Sequence, residues 1–182
     1  PLYTQNFPLK CGKGSAYEGG IREPMIVRWP GTVQPGTRCN DYLIIEDFYP
    51  SILEMAGIDD YDVPQEIDGI SFVPLLKQTK NPSQGRSLYW NCPNIWGEKG
   101  PGIGPSCTIR KDNWKMIYFY ETGEKELYDI PNDIEENNNV AALYPQIINK
   151  LSKELGKFLR QTNGQRPSFK KTGKPCPWPD EI

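Results

Sequence analysis

The chain has 182 residues, 37% of them hydrophobic, with 21 Lys and Arg against 23 Asp and Glu and a formal net charge of −2. That length fits one domain with a real core, or parts of two, and the mixed charge excludes the basic field that nucleic-acid binding needs. There is no histidine, which removes the commonest general base and the commonest zinc ligand together. No apolar run approaches the ~20 residues of a membrane-spanning helix. The opening "PLYTQNFPLK" has no initiator Met and no signal-peptide pattern. It reads as a cut end, so it says nothing of a leader on the parent protein.

In chain order, residues 1–40 read as loop, short strand, loop. Within "PMIVRWPG" the contiguous Met25, Ile26 and Val27 predict a strand buried on both faces, closed by Pro30-Gly31. "EDFYPSILEMAG" (46–57) predicts a helix with Phe48, Ile52, Leu53 and Ala56 on one stripe and Gly57 as its stop. "DGISFVPLLKQ" (68–78) predicts a short helical turn, and residues 79–105 are loop-rich with Gly and Pro throughout. Three strands follow, "SCTIRK", "WKMIYFY" and "KELYDI", joined by the turn signals "DN" and "ETGE". The middle strand is nearly all apolar and needs a cover. From Leu143 to Arg160 the residues Leu143, Ile147, Ile148, Leu151, Leu155, Phe158 and Leu159 fall on one helical side, which supplies it. The tail, rich in Pro and Lys, reads as extended along the surface. Five cysteines, Cys11, Cys39, Cys92, Cys107 and Cys176, show no CxxC spacing; zinc ribbon and thioredoxin-like motifs are excluded on that pattern, and any disulfide pairing stays open.

The stretch "LKCGKGSAYEGGIREPMIVRWPG" (9–31) is the most informative. Glycines on both sides of Lys13 let backbone approach a ligand closely, and the ammonium supplies three donors for a tetrahedral oxyanion. On spacing alone, a Gly-rich turn with solvated lysines is the simpler reading, and Lys10 reads as solvated. A phosphate-binding Walker loop is excluded by its spacing. Glu18 and Arg22 stand four apart, but Gly19-Gly20 argues against a helix between them, so they read as braces of neighbouring loops.

This stretch closely resembles the second signature of type I sulfatases, the formylglycine-dependent arylsulfatase family of the alkaline phosphatase superfamily. The resemblance runs over roughly residues 8–160, because "IIEDFYPSILEMAGI", "EIDGISFVPLLK" and "KELYDIPNDIEENNNVA" look like the later family segments in the right order. It implies an active site split along the sequence. The family's nucleophile comes from a C/S-x-P/A-x-R motif, and its calcium is held in part by an Asp-Asn pair. Both are absent from this sequence, as are the family's active-site histidines. The chain thus resembles the C-terminal third of a sulfatase, with no cofactor of its own and calcium expected in an N-terminal portion. That portion is its implied partner, beside a sulfated sugar or aryl sulfate.

By the same resemblance Lys13 is the catalytic residue, contacting the sulfate, and Glu18 and Arg22 brace its loop. Trp90, Asn91, Asn94 and Trp96, in "WNCPNIWGEK", are candidate substrate contacts through stacking and amide hydrogen bonds; packing of Trp90 in the core is the competing reading. Many relatives carry histidine where Asn91 stands. Asp129, Asp133 and Glu135 read as a solvated turn rather than a metal cluster.

The expected fold is α+β: an antiparallel sheet of about four strands covered by a C-terminal helix, preceded by a segment from the edge of an alkaline-phosphatase-like α/β domain. Residues 1–80 are assigned to the end of that catalytic domain, 81–165 to the α+β subdomain and 166–182 to the tail. The expected location is periplasmic, extracellular or lysosomal. Two other functions remain open: a stand-alone anion- or glycan-binding module, and a phosphate or phosphonate ester hydrolase of the same superfamily.

Overall fold

The computed structural model describes residues 6–58, 60–95 and 100–182. The chain divides into two compact units, one formed by the residues up to Glu23 together with Ser87–Ile182, the other by Pro24–Arg86.

The larger unit is built on a four-stranded antiparallel sheet. Its strands, β1 (Ser87–Cys92), β2 (Ser106–Lys111), β3 (Trp114–Phe119) and β4 (Lys125–Asp129), lie side by side in chain order. The last three follow the sequence pattern, and Asp112-Asn113 makes the two-residue turn that pairs Lys111 with Trp114. Strand β1 falls where a loop was expected. It pairs along its whole length with β2, from Ser87 opposite Lys111 to Cys92 opposite Ser106.

Alternation along the strands gives the sheet two different faces. Cys107, Ile109, Met116, Tyr118 and Leu127 point to one, where Leu151, Leu155 and Leu159 of helix α4 (Pro145–Gln161) complete a buried core. Pro145 occupies the start of α4, where a missing N–H costs nothing. Leu143 lies outside the helix and is exposed, so the apolar stripe begins at Ile147. Tyr89 stacks on Phe158 with ring centroids 3.8 Å apart, and Glu154 takes the Lys111 ammonium at 2.7 Å. The tail does more than lie along the surface. Cys176 and Trp178 are buried in this core, and Tyr118 donates its hydroxyl to the Pro177 carbonyl at 2.9 Å. Burial pushes the Cys107 thiol up to about 12, which makes it an inert core residue.

The second face carries Thr108, Arg110, Lys115, Ile117 and Tyr128, and the opening stretch covers it. Tyr17 packs with Ile117, Tyr128 and Ile130 in a separate cluster. The sheet therefore has two covers, of which the helical one alone was legible as a periodic pattern.

The smaller unit contains a 3-10 turn (Ile45–Asp47) and helices α2 (Phe48–Met55) and α3 (Val73–Leu76). Its centre joins buried Phe72 and Val73 to a polar network. Asp47, fully buried, accepts the N–H groups of Ile44 at 3.0 Å and Ile70 at 2.9 Å and pairs with Arg86 at 2.7 Å. Ser51 and Pro50 are the buried residues of α2, whereas Ile52 and Ala56 are exposed, so the expected stripe is not the buried one. Met25-Ile26-Val27 forms no strand, and Ile26 is 96% exposed. An apolar run pairs as a strand only where a neighbouring edge accepts it, and none does among the described residues.

Candidate active-site loop

Residues 10–20 fold into a compact loop with Lys13 exposed on it. Gly14 adopts φ +89°, in the left-handed region, and Ser15 N–H closes on the Gly12 carbonyl at 3.1 Å. The chain then forms a single helical turn, α1 (Glu18–Ile21), despite Gly19-Gly20. Close approach is the reason these two are glycines. A Cβ on Gly20 would strike the Ser15 carbonyl and stand 2.8 Å from the Gly12 carbonyl oxygen, and one on Gly19 would strike the Lys10 carbonyl. The turn lies directly on the loop it closes, and Gly19 N–H donates to the Lys10 carbonyl at 3.0 Å.

Beneath the loop lies a buried ionic cluster. Lys115, the fully buried second residue of β3, places its ammonium 3.0 Å from Glu18 and 2.9 Å from Glu136. Glu18 is also approached by Arg110 at 3.5 Å and Arg22 at 3.4 Å. Glu136 accepts the Glu18 backbone N–H at 2.5 Å. Burial raises the Glu136 carboxyl above its ordinary value, against the lowering effect of Lys115. Lys10 is engaged rather than solvated. Its ammonium donates to the Glu136 carbonyl at 2.9 Å and sits 4.0 Å from the centre of the Tyr17 ring. The Tyr17 and Tyr128 hydroxyls both donate to Glu126, at 2.9 and 2.8 Å, and burial together with that carboxylate pushes both phenols up.

A cleft of about 240 Å³ opens beside the loop, lined by Gly14, Ser15, Trp90, Asn91, Ser106 and Thr108 among others. Trp90 sits opposite Thr108 on the sheet face that the loop covers, so Trp90 and the Lys13 loop border the same cleft. The Asn91 amide is held within the fold: it donates to the Gln165 carbonyl at 2.9 Å and accepts from the Tyr120 hydroxyl at 3.0 Å. Asn94 is exposed, and its carbonyl faces the Cys92 thiol at 3.7 Å. Trp96 lies outside the described residues.

Asp133 accepts the N–H groups of Asn137 at 3.0 Å and Asn138 at 2.8 Å, which makes the acidic segment an ordered turn. Among the described residues, no group of three or more His, Cys, Asp or Glu is placed to hold a metal ion, and no helix is long and apolar enough to cross a membrane.

Lys115 and Glu136 escaped the sequence reading. The signal was present: a lysine inside the nearly apolar "WKMIYF" must find a buried partner when both faces of its strand are covered.

The sheet, with a helix on one face and the glycine-flanked Lys13 loop on the other, lies almost wholly within the stretch that matches a known family. The chain belongs to the family described as N-sulphoglucosamine sulphohydrolase, C-terminal, which matches residues 11–162. It is 29% identical to a sulfatase of Formosa agariphila over 97% of this chain and 34% of that protein. It is 30% identical to arylsulfatase K of Xenopus laevis over 79% of this chain and 27% of that protein. The solved structure of Ps i-CgsB in complex with k-i-k-neocarrahexaose superposes with a TM-score of 0.70 at 30% identity, over 85% of this chain and 32% of that one. The chain thus spans about a third or less of the length of the relatives it matches.

Proposed function

We propose that the chain is the C-terminal part of a sulfatase that hydrolyses sulfate esters of sugars or aryl alcohols, and that Lys13 contacts the sulfate. The observation that carries this reading is that Lys13 lies on a loop fastened to the sheet by Glu18 and Tyr17, beside the Trp90 cleft. Cleavage of the S–O bond moves negative charge onto the leaving oxygen. A fixed ammonium facing the sulfuryl and bridging oxygens stabilises that charge more in the transition state than in the ground state. Trp90, on the cleft wall, offers an apolar face on which a sugar ring can stack. Both sugar and aryl esters fit such a surface; the complex of Ps i-CgsB with an oligosaccharide favours the sugar.

On this reading the family's formylglycine nucleophile and calcium would lie in an N-terminal portion of the full-length protein, where they would supply the attacking oxygen and a second cation. No carboxylate cluster described in this chain fits that metal. The sulfate-ester reading carries with it a periplasmic, extracellular or lysosomal location. The exposed Ile26 and its neighbours are the surface on which the N-terminal part would rest.

The test compares two proteins on an activated aryl sulfate and on the matching aryl phosphate. The full-length protein is expected to hydrolyse the sulfate in preference, and the 182-residue chain alone to hydrolyse neither. Turnover of the sulfate by the chain alone, or a preference of the full-length protein for the phosphate, overturns the reading.

A further inference from the structure

We propose that Glu136 is a positioning residue for Lys13, clamping both ends of the loop that carries it, with Lys115 as the buried counter-charge that holds the clamp in place. The inference rests on the sulfatase reading of Lys13 and assigns a role to the acidic, Asn-rich turn, which that reading left without one.

Three contacts converge on Glu136. At the start of the loop, the Lys10 ammonium donates to the Glu136 carbonyl at 2.9 Å. At its end, the Glu18 N–H donates to the Glu136 carboxylate at 2.5 Å. Lys115 then ties Glu136 to Glu18 by bridging their carboxylates at 2.9 and 3.0 Å. The loop is closed on itself between these points by Gly19 N–H to the Lys10 carbonyl. Lys13 lies between two ends fixed to one residue, the first through its carbonyl and the second through its carboxylate.

Two features separate this arrangement from ordinary core packing. Lys115 and Glu136 are fully buried, and the desolvation of such a pair often cancels its Coulombic gain, so stability alone does not account for it. Glu136 also adopts φ +52°, which is uncommon for a residue with a side chain. Strain of this kind persists where surroundings over-determine a geometry, and it concentrates at working sites. In this loop it turns the carbonyl and the carboxylate of one residue toward the two ends of one segment. A cation that acts on a transition state must be held to within a fraction of an ångström, and displacement by about 1 Å can cost ~10²-fold.

The test uses Glu136→Gln, Lys13→Ala and the double variant in the full-length protein, with amide hydrogen exchange and kcat on an aryl sulfate as readouts. In Glu136→Gln the amides of Ser15–Gly20 should exchange about tenfold faster or more, while those of β3 stay protected. Its kcat should fall ~10–100-fold, with no further fall when the change is made in the Lys13→Ala background. Unchanged exchange at Ser15–Gly20, or a kcat loss that persists in full without Lys13, overturns the clamp. A near wild-type kcat for Lys13→Ala overturns the reading of Lys13 itself, and the exchange data then still judge the clamp. If Glu136→Gln does not fold, Glu136→Asp, which keeps the charge but shortens the reach, is measured in the same way.

Discussion

The Glu136 carboxylate accepts the Glu18 backbone N–H at 2.5 Å across 118 residues of sequence. That bond joins the turn after β4 to the opening loop, and Lys115 stands between the two acidic side chains. The opening residues are thereby part of the sheet's packing rather than an appendage to it.

Removing Lys115 should be severe. Lys115→Met leaves Glu18 and Glu136 facing each other out of water, and truncating one partner of a buried pair costs ~3–5 kcal/mol. Urea unfolding checks this. Adding Glu136→Gln to Lys115→Met should recover part of the loss, because one orphaned charge disappears. A Lys115→Met protein within ~0.5 kcal/mol of wild type, the range of ordinary surface changes, would show that the pair is not buried as described.

The helical cover divides in two on mutation. Leu155 is fully buried against the sheet, and Leu155→Ala should cost ~2–5 kcal/mol. Leu143 precedes the helix and is exposed, and Leu143→Ala should stay within ~0.5 kcal/mol of wild type. Equal losses would mean that the helix begins earlier than Pro145.

Glu154 predicts an acid-side dependence. Burial works against its charge, but hydrogen bonds from Lys111 and Ser87 outweigh that and lower the carboxyl below 4.5. At acid pH the unfolded chain then binds this proton more tightly than the folded one, so stability rises with pH there. The contribution is complete above 4.5 and is lost as pH falls through the lower folded value. The stability difference between wild type and Glu154→Gln should therefore shrink on acidification from neutrality. A difference that grows would contradict the assigned shift.

The periodic parts of this fold were legible because their information is local. Alternation in "SCTIRK", "WKMIYF" and "KELYD" and the helical stripe from Ile147 to Leu159 each declare an element within its own window. Strand β1 was hidden because it runs straight into a segment full of turn residues. The second cover of the sheet was hidden for a different reason. It is an irregular loop, and its attachment depends on ion pairs between Glu18, Lys115 and Glu136, which are far apart in sequence. Gly19-Gly20 misled for a related cause, since contact with the loop backbone outweighs the low helical propensity of glycine. Lys13 was singled out through resemblance, while its glycines told only of backbone freedom.

The central claim is that Lys13 acts on the sulfate from a fixed position, and one measurement addresses it most directly: kcat of Lys13→Ala against wild type in the full-length protein, on an activated aryl sulfate, with the fold checked by circular dichroism. Loss of one preorganised cation facing the developing charge should lower kcat ~10²–10³-fold with the fold unchanged. A folded Lys13→Ala protein with wild-type kcat would contradict the account.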